Sequence, residues 1–200
     1  KLFVVLHTYG SHFNYQERYP RSFAYFKPDS RSEAKPENRQ DLLNAYDNTI
    51  RYTDYILHGI VERLQKWEKV QAKTDGVYSQ PTSAMLYTSD HGENIFDDDR
   101  RLFLHAAPKA SDYELHVPFI IWTSEGFGKQ YPGAWKALGE NRTKQVQTSL
   151  SAFHTMLGIG GIRTPYRLDK YSVASGKYHP TRLLYLDDHD EAILQEDAKF

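Results

Sequence analysis

The sequence predicts an α/β fold, a largely parallel sheet sandwiched by helices, on three observations. Apolar runs at Leu2 to Leu6, Ala84 to Thr88 and Val117 to Trp122 are rich in β-branched and aromatic residues, the continuous pattern of strands buried on both faces. Between the first two, Gln40 to Gln71 repeats apolar residues at three- and four-residue steps, an amphipathic helix broad enough to cover a sheet. Along the chain the elements run strand, helix, strand, strand, helix.

Each element has a local reason. Leu2 to Leu6 reads as a buried parallel strand, and Gly10 after it opens a loop carrying His12. Residues 28–39 are rich in Ser, Glu, Lys and Pro and read as a surface excursion. In the long helix Leu42, Leu43, Tyr46, Ile50, Ile56, Leu57, Ile60 and Leu64 form the apolar face, while Asp47 and Arg51 read as a solvated face with Asp/Arg pairs. A Gly/Pro/Ser linker from Lys73 to Pro81 leads into the Ala84 to Thr88 strand. Asn94 to Arg101 is a charged loop; its Asp97-Asp98-Asp99 run lacks the alternating spacing of a calcium loop and reads as solvated. Pro118 is tolerable near the start of the Val117 to Trp122 strand. A short helix from Gln147 to Leu157 is ended by Gly158, Gly160 and Gly161.

Composition bounds the function. The 200 residues are 40% apolar and 14% aromatic, enough for one sizeable core. A net charge of -1 leaves no strongly basic surface for nucleic acid, which is not expected as a partner. The absence of cysteine excludes disulfides, thiolate zinc sites and a cysteine nucleophile within the chain. No apolar run reaches the ~18 residues of a membrane span. The chain opens with Lys1 in what reads as a core strand, so it is expected to be the C-terminal portion of a longer catalytic domain whose N-terminal part is missing.

The chemistry concentrates at Leu86-Tyr-Thr-Ser-Asp-His-Gly-Glu93. There an apolar strand runs into two metal-ligand residue types, Asp90 and His91, and a turn glycine, Gly92. The C-terminal ends of strands are where α/β sheets place their sites. In a straight strand neighbouring side chains face opposite ways, so a sharp exit at Gly92 is needed to turn both toward one ion. The plainer reading makes Asp90 a helix cap and His91 a surface residue. Two further histidines at the ends of apolar segments, His12 and His105, weigh against it.

Val5-Leu-His-Thr-Tyr-Gly-Ser-His12 with Arg18-Tyr-Pro20, Asn44-Ala-Tyr-Asp-Asn-Thr49, Ser89-Asp-His-Gly-Glu93, Leu104-His105 and Val117-Pro-Phe119 occur in the order seen in lipid A phosphoethanolamine transferases. The chain resembles that family, part of the sulfatase and alkaline phosphatase superfamily, over about its first 160 residues; Phe13-Asn14 departs from the family pattern. The resemblance implies an alkaline phosphatase/sulfatase-like fold, with residues 1–200 the C-terminal portion of a single catalytic domain. It implies that Asp90 and His91 are zinc ligands, with a second zinc optional. It implies that His12 and His105 contact the phosphoryl group or a second zinc and that His12, His105 and Glu93 act in catalysis, with Glu93 and His7 close by and His7 on the substrate side. It further implies a threonine nucleophile outside this chain, a phosphatidylethanolamine donor and a lipid A or core-sugar acceptor. The inner membrane would hold the protein by helices outside this chain, with the catalytic domain facing the periplasm. A sulfatase or phosphodiesterase and a non-catalytic binding module are the alternatives.

Overall fold

The computed structural model describes residues 2–74, 81–106, 108–187, 189 and 191–197. The chain divides into two compact units, 1–60 with 93–104, and 61–92 with 105–200. Helix α1, Arg39–Thr74, begins in the first and continues into the second. The linker expected at Lys73 to Pro81 falls on 75–80, outside the described residues.

In the first unit the core gathers Tyr15, Leu42, Ala45 and Ile95, with Phe13, Tyr46, Phe96 and Phe103 packed against it. Leu42 and Ala45 belong to the apolar face of α1, as its periodicity predicts. Less expected is the polar stripe beside them. Asn48 is fully buried, and its carboxamide accepts from the backbone N–H of Tyr25 and of Phe26, both at 2.9 Å, while donating to the Phe26 carbonyl at 3.0 Å. One turn earlier Asn44 donates to the Pro28 carbonyl at 2.8 Å, and Asp41 accepts from the N–H groups of Ser30 and Arg31. Residues 25–31 thus belong to none of the ladders among the described residues, and side chains of the helix hydrogen-bond their backbone instead. Asp47 and Arg51 are exposed as expected, but the Arg51 guanidinium lies over the rings of Tyr25 (5.0 Å) and Phe23 (5.6 Å) instead of pairing with Asp47.

The charged segment from Asn94 is more ordered than a solvated loop. It forms a hairpin of β2, Asn94–Ile95, and β3, Phe103–Leu104, paired antiparallel. Asp97 accepts from the Ile95 N–H and from the Arg39 guanidinium at 3.1 Å, tying the hairpin to the start of α1; Asp98 pairs with Arg100 at 2.7 Å. The expected first strand is absent. Leu2 to Leu6 is irregular and 61 to 87% exposed, because a strand is made by a ladder partner and none of the described strands supplies one.

In the second unit β1, Ala84–Thr88, pairs with β4, Phe119–Thr123, in the register Ala84↔Thr123 through Thr88↔Phe119. A second ladder joins β5, Leu184–Leu186, to β6, Ala192–Leu194. All ladders among the described residues are antiparallel, a pairing direction that the sequence did not signal. Apolar runs report burial and not direction. The helices are α2, Asp112–Leu115, α3, Glu125–Gln130, α4, Pro132–Asn141, and α5, Thr148–Ile159, which packs on β1. None of the described helices is long and apolar enough to cross a membrane.

Helical side chains again hold irregular backbone here. Asn141, 4% exposed, donates to the carbonyls of Val173 and Ser175, and Thr155 accepts from the Val173 N–H. A capping box between Ser111 and Glu114 fixes α2. Against it lies Gly92, whose N–H donates to the Glu114 carbonyl at 2.7 Å; a Cβ there would stand 2.0 Å from the Tyr113 carbonyl oxygen.

Three outcomes follow from these contacts. Asn48→Ala strands three buried backbone groups and is expected to destabilise the intact protein by about 3 kcal/mol, read by denaturant unfolding. Gly92→Ala forces the backbone apart at Tyr113 and should cost about 2 kcal/mol or more by the same measurement. Tyr19 is pushed up to about 12, by burial first, with the Asn48 amide pulling the other way and the Asp29 carboxylate, which accepts its proton at 2.7 Å, adding to the rise. The folded protein therefore keeps a proton that the unfolded chain gives up near pH 10, and stability falls as pH climbs from about 10 to about 12. Tyr19→Phe should reduce that slope in a pH series of unfolding midpoints.

Candidate metal centre

β1 ends at Thr88, and Ser89 and Asp90 lie beyond it, so the opposite-facing rule of a straight strand no longer binds the pair. Asp90 is exposed and His91 half-buried. The Asp90 Oδ2 and His91 Nε2 atoms are 3.9 Å apart. Two donors of a tetrahedral zinc, each at about 2.1 Å, sit about 3.4 Å from one another, so a small closure brings both to one ion. The His91 Nδ1 lies 2.9 Å from the Gly92 carbonyl. With Nδ1–H donating there, the neutral ring presents its lone pair at Nε2, the tautomer a metal ligand needs.

The Asp90 carboxylate is also prepared. Burial alone would raise its pKa, but backbone N–H groups, including that of His91 at 3.1 Å, the His91 ring and the Ser89 hydroxyl hold it below the usual carboxylate range. No helix follows Asp90, so it does not cap one. Gly92 serves the turn through its close approach to Tyr113.

The same unit brings His105 to this place. Its ring centroid is 3.7 Å from that of His91, with the planes 31° apart, and one ring nitrogen of each lies within 4.8 Å of the other. His105 stands between Leu104 and Ala106, whose φ angles of 65° and 63° are conformations that side-chain-bearing residues rarely adopt. His91 is thus paired with a carboxylate, Asp90, and with a second imidazole, His105, residue types with the donor chemistry of zinc.

His7, His12 and Glu93 belong to the other unit. His7 and His12 are exposed, and Glu93, two residues after His91, is buried. The His12 loop is held from several sides. Arg18 donates to the His12 carbonyl at 3.0 Å and to the Phe13 carbonyl at 3.4 Å, and lies 4.2 Å over the Tyr9 ring, itself edge-on to His12 at 5.0 Å. The Thr49 hydroxyl of α1, 1% exposed, lies 2.6 Å from the Ser11 hydroxyl. Tyr15, 0% exposed, has a hydroxyl kept protonated far above its usual range by burial first and the Glu93 carboxylate second. Arg18 and Thr49 sit in quoted motifs, yet only three-dimensional contact reveals their hold on the loop; Tyr15 carried no signal beyond being aromatic.

A family model described as Sulfatase matches residues 1–162. Phosphoethanolamine transferase EptA of Salmonella typhimurium is 32% identical over 185 residues, 90% of this chain and 31% of that protein. The soluble domain of lipooligosaccharide phosphoethanolamine transferase A from Neisseria meningitidis superposes with a TM-score of 0.72 at 27% identity, over 88% of this chain and 50% of the other. The C-terminal periplasmic domain of EcEptC from Escherichia coli, in complex with Zn, gives 0.73 at 19% identity over 96% of this chain and 50% of the other, a likeness of fold alone. The alkaline phosphatase/sulfatase-like fold read from the sequence is borne out by these neighbours. This chain spans about a third of the length of the curated relatives it matches and half that of the solved domains. A metal-donor turn at the end of a strand, inside a match that reaches residue 162, leads to one conclusion: the chain belongs to the sulfatase family and, within it, is similar to the phosphoethanolamine transferases.

Proposed function

We propose that residues 1–200 are the C-terminal portion of a single catalytic domain that transfers phosphoethanolamine from phosphatidylethanolamine to lipid A or a core sugar of an envelope glycolipid. The observation that carries the reading is the pairing of Asp90 and His91 at the end of β1, with the His105 ring against His91. Relatives named as phosphoethanolamine transferases support the headgroup, and the lipooligosaccharide transferase supports the acceptor class. The protein would sit in the inner membrane with this domain in the periplasm.

The donor set fits zinc, and Asp90 and His91 would hold it. Zinc held there would supply Lewis-acid polarisation of a phosphoryl oxygen and a lowered pKa for an attacking hydroxyl. The chain's own part is orientation and proton handling. The Gly92 carbonyl fixes the His91 tautomer, and backbone N–H groups keep Asp90 ionised. His12 and His105 bind phosphoryl oxygens and give a proton to the oxygen that leaves; His7 contacts the substrate, and Glu93 supports the imidazoles as a buried carboxylate. A threonine hydroxyl outside this chain attacks phosphorus, its proton passing by way of the imidazoles to the diacylglycerol oxygen that leaves; the glycolipid hydroxyl then attacks phosphorus in turn, and its proton returns to the threonine oxygen it displaces.

Three measurements on the intact protein test this. Zinc titration by calorimetry is expected to show one tight site that Asp90→Ala or His91→Ala abolishes; unchanged binding in both variants removes the assignment. Headgroup transfer to a glycolipid should fall at least a hundredfold in His91→Ala, in keeping with ligand losses exceeding the 10–100-fold of supporting groups. Release of phosphoethanolamine to water, with no labelled glycolipid formed, would replace the transferase by a hydrolase.

A further inference from the structure

The second unit contains a cavity of about 610 Å³ bounded by β4, the α4–α5 connection, the start of α5 and β5, a size that suits a small ligand or a lipid chain. None of Asp90, His91 and His105 lines it. Ile121, Val146 and Tyr185 contribute an apolar wall. Its polar lining is of two kinds. Three of its four carboxamides are already engaged: Asn141 donates to Val173 and Ser175, Gln147 exchanges two hydrogen bonds of 2.9 Å with the backbone of Leu184, and Gln195 donates to Asp112. The cations are not. Arg142 and Lys144 line the cavity from exposed positions and pair with no carboxylate among the described residues, whereas Lys129 and Lys136 on the two preceding helices each hold a glutamate. His116 adds an imidazole, and no Asp or Glu among the described residues lines the cavity.

An apolar wall beside two unpaired cations, in a chain of net charge -1, is complementary to one kind of occupant. We propose that the cavity binds an amphipathic anion, a hydrocarbon chain carrying a phosphate or carboxylate, with the chain along Ile121, Val146 and Tyr185 and the head at Arg142 and Lys144. Removing the chain from water drives binding, and the guanidinium and ammonium groups supply charge-assisted hydrogen bonds to the head. This site goes beyond the transferase reading and does not depend on it.

The test uses the intact protein and a diazirine-bearing dodecyl phosphate, with labelled peptides mapped by mass spectrometry, so failure of catalysis does not affect the readout. Labelling is expected within 142–148 and 183–185, displaced by dodecyl phosphate and by dodecanoate but not by dodecanol or inorganic phosphate. It should fall at least tenfold in the double variant Arg142→Glu, Lys144→Glu and in Val146→Trp, which fills the cavity, and stay unchanged in Lys136→Glu. If the double variant does not melt cooperatively, Val146→Trp decides. Equal displacement by inorganic phosphate reduces the site to a free-anion site, and indifference to charge reversal reduces it to an apolar groove; either overturns the proposal. Absence of label from these peptides overturns it too, since another segment or a protein partner then occupies the space.

Discussion

The structure depends on buried helical side chains that take the place of a sheet. An irregular segment has no ladder to pair its N–H and C=O groups, and side chains that hydrogen-bond them fix its path instead. In the first unit Asp41, Asn44 and Asn48 supply those partners from one stripe of α1, holding residues 25–31. In the second, Asn141 and Thr155 do the same for Val173 and Ser175. A carboxamide suits this work because it both accepts and donates in one plane, as a peptide group does.

The candidate site is set by a similar economy of backbone contacts. Asp90 and His91 are neighbours in sequence, and their convergence requires that the strand stop before them and that the following residue approach another chain segment closely. Thr88 ends β1, and Gly92 meets the Tyr113 and Glu114 carbonyls where any side chain would collide. The Gly92 carbonyl then orients the His91 ring. One glycine thus shapes the turn and selects the tautomer, and the α2 capping box holds the segment it leans on.

Particular residues show what was legible beforehand. The apolar face of α1, the β1 segment and the Asp-His-Gly turn were readable because periodicity and residue type directly encode them. Asn48 was not: a lone asparagine in a helix reads as solvated, and only the presence of the Tyr25 and Phe26 backbone beside it makes it a structural center. Leu2 to Leu6 has the composition of a strand, but the ladder that would make it one is not among the described residues. The antiparallel pairing of β1 with β4 was not legible either, since the two carry the same apolar signal whichever way they run.

The sequence by itself determined which segments are apolar, where the long helix lies, which residue types could hold a metal, and the family resemblance borne by the order of its motifs. These follow from chemistry carried residue by residue. Tertiary structure alone decided that His105 stacks on His91, that Thr49 reaches Ser11, that the strands pair antiparallel, and that Arg142 and Lys144 border an apolar cavity. Each of these joins residues far apart in the chain, and their meeting is fixed by packing and by the satisfaction of buried backbone groups, which no local pattern encodes.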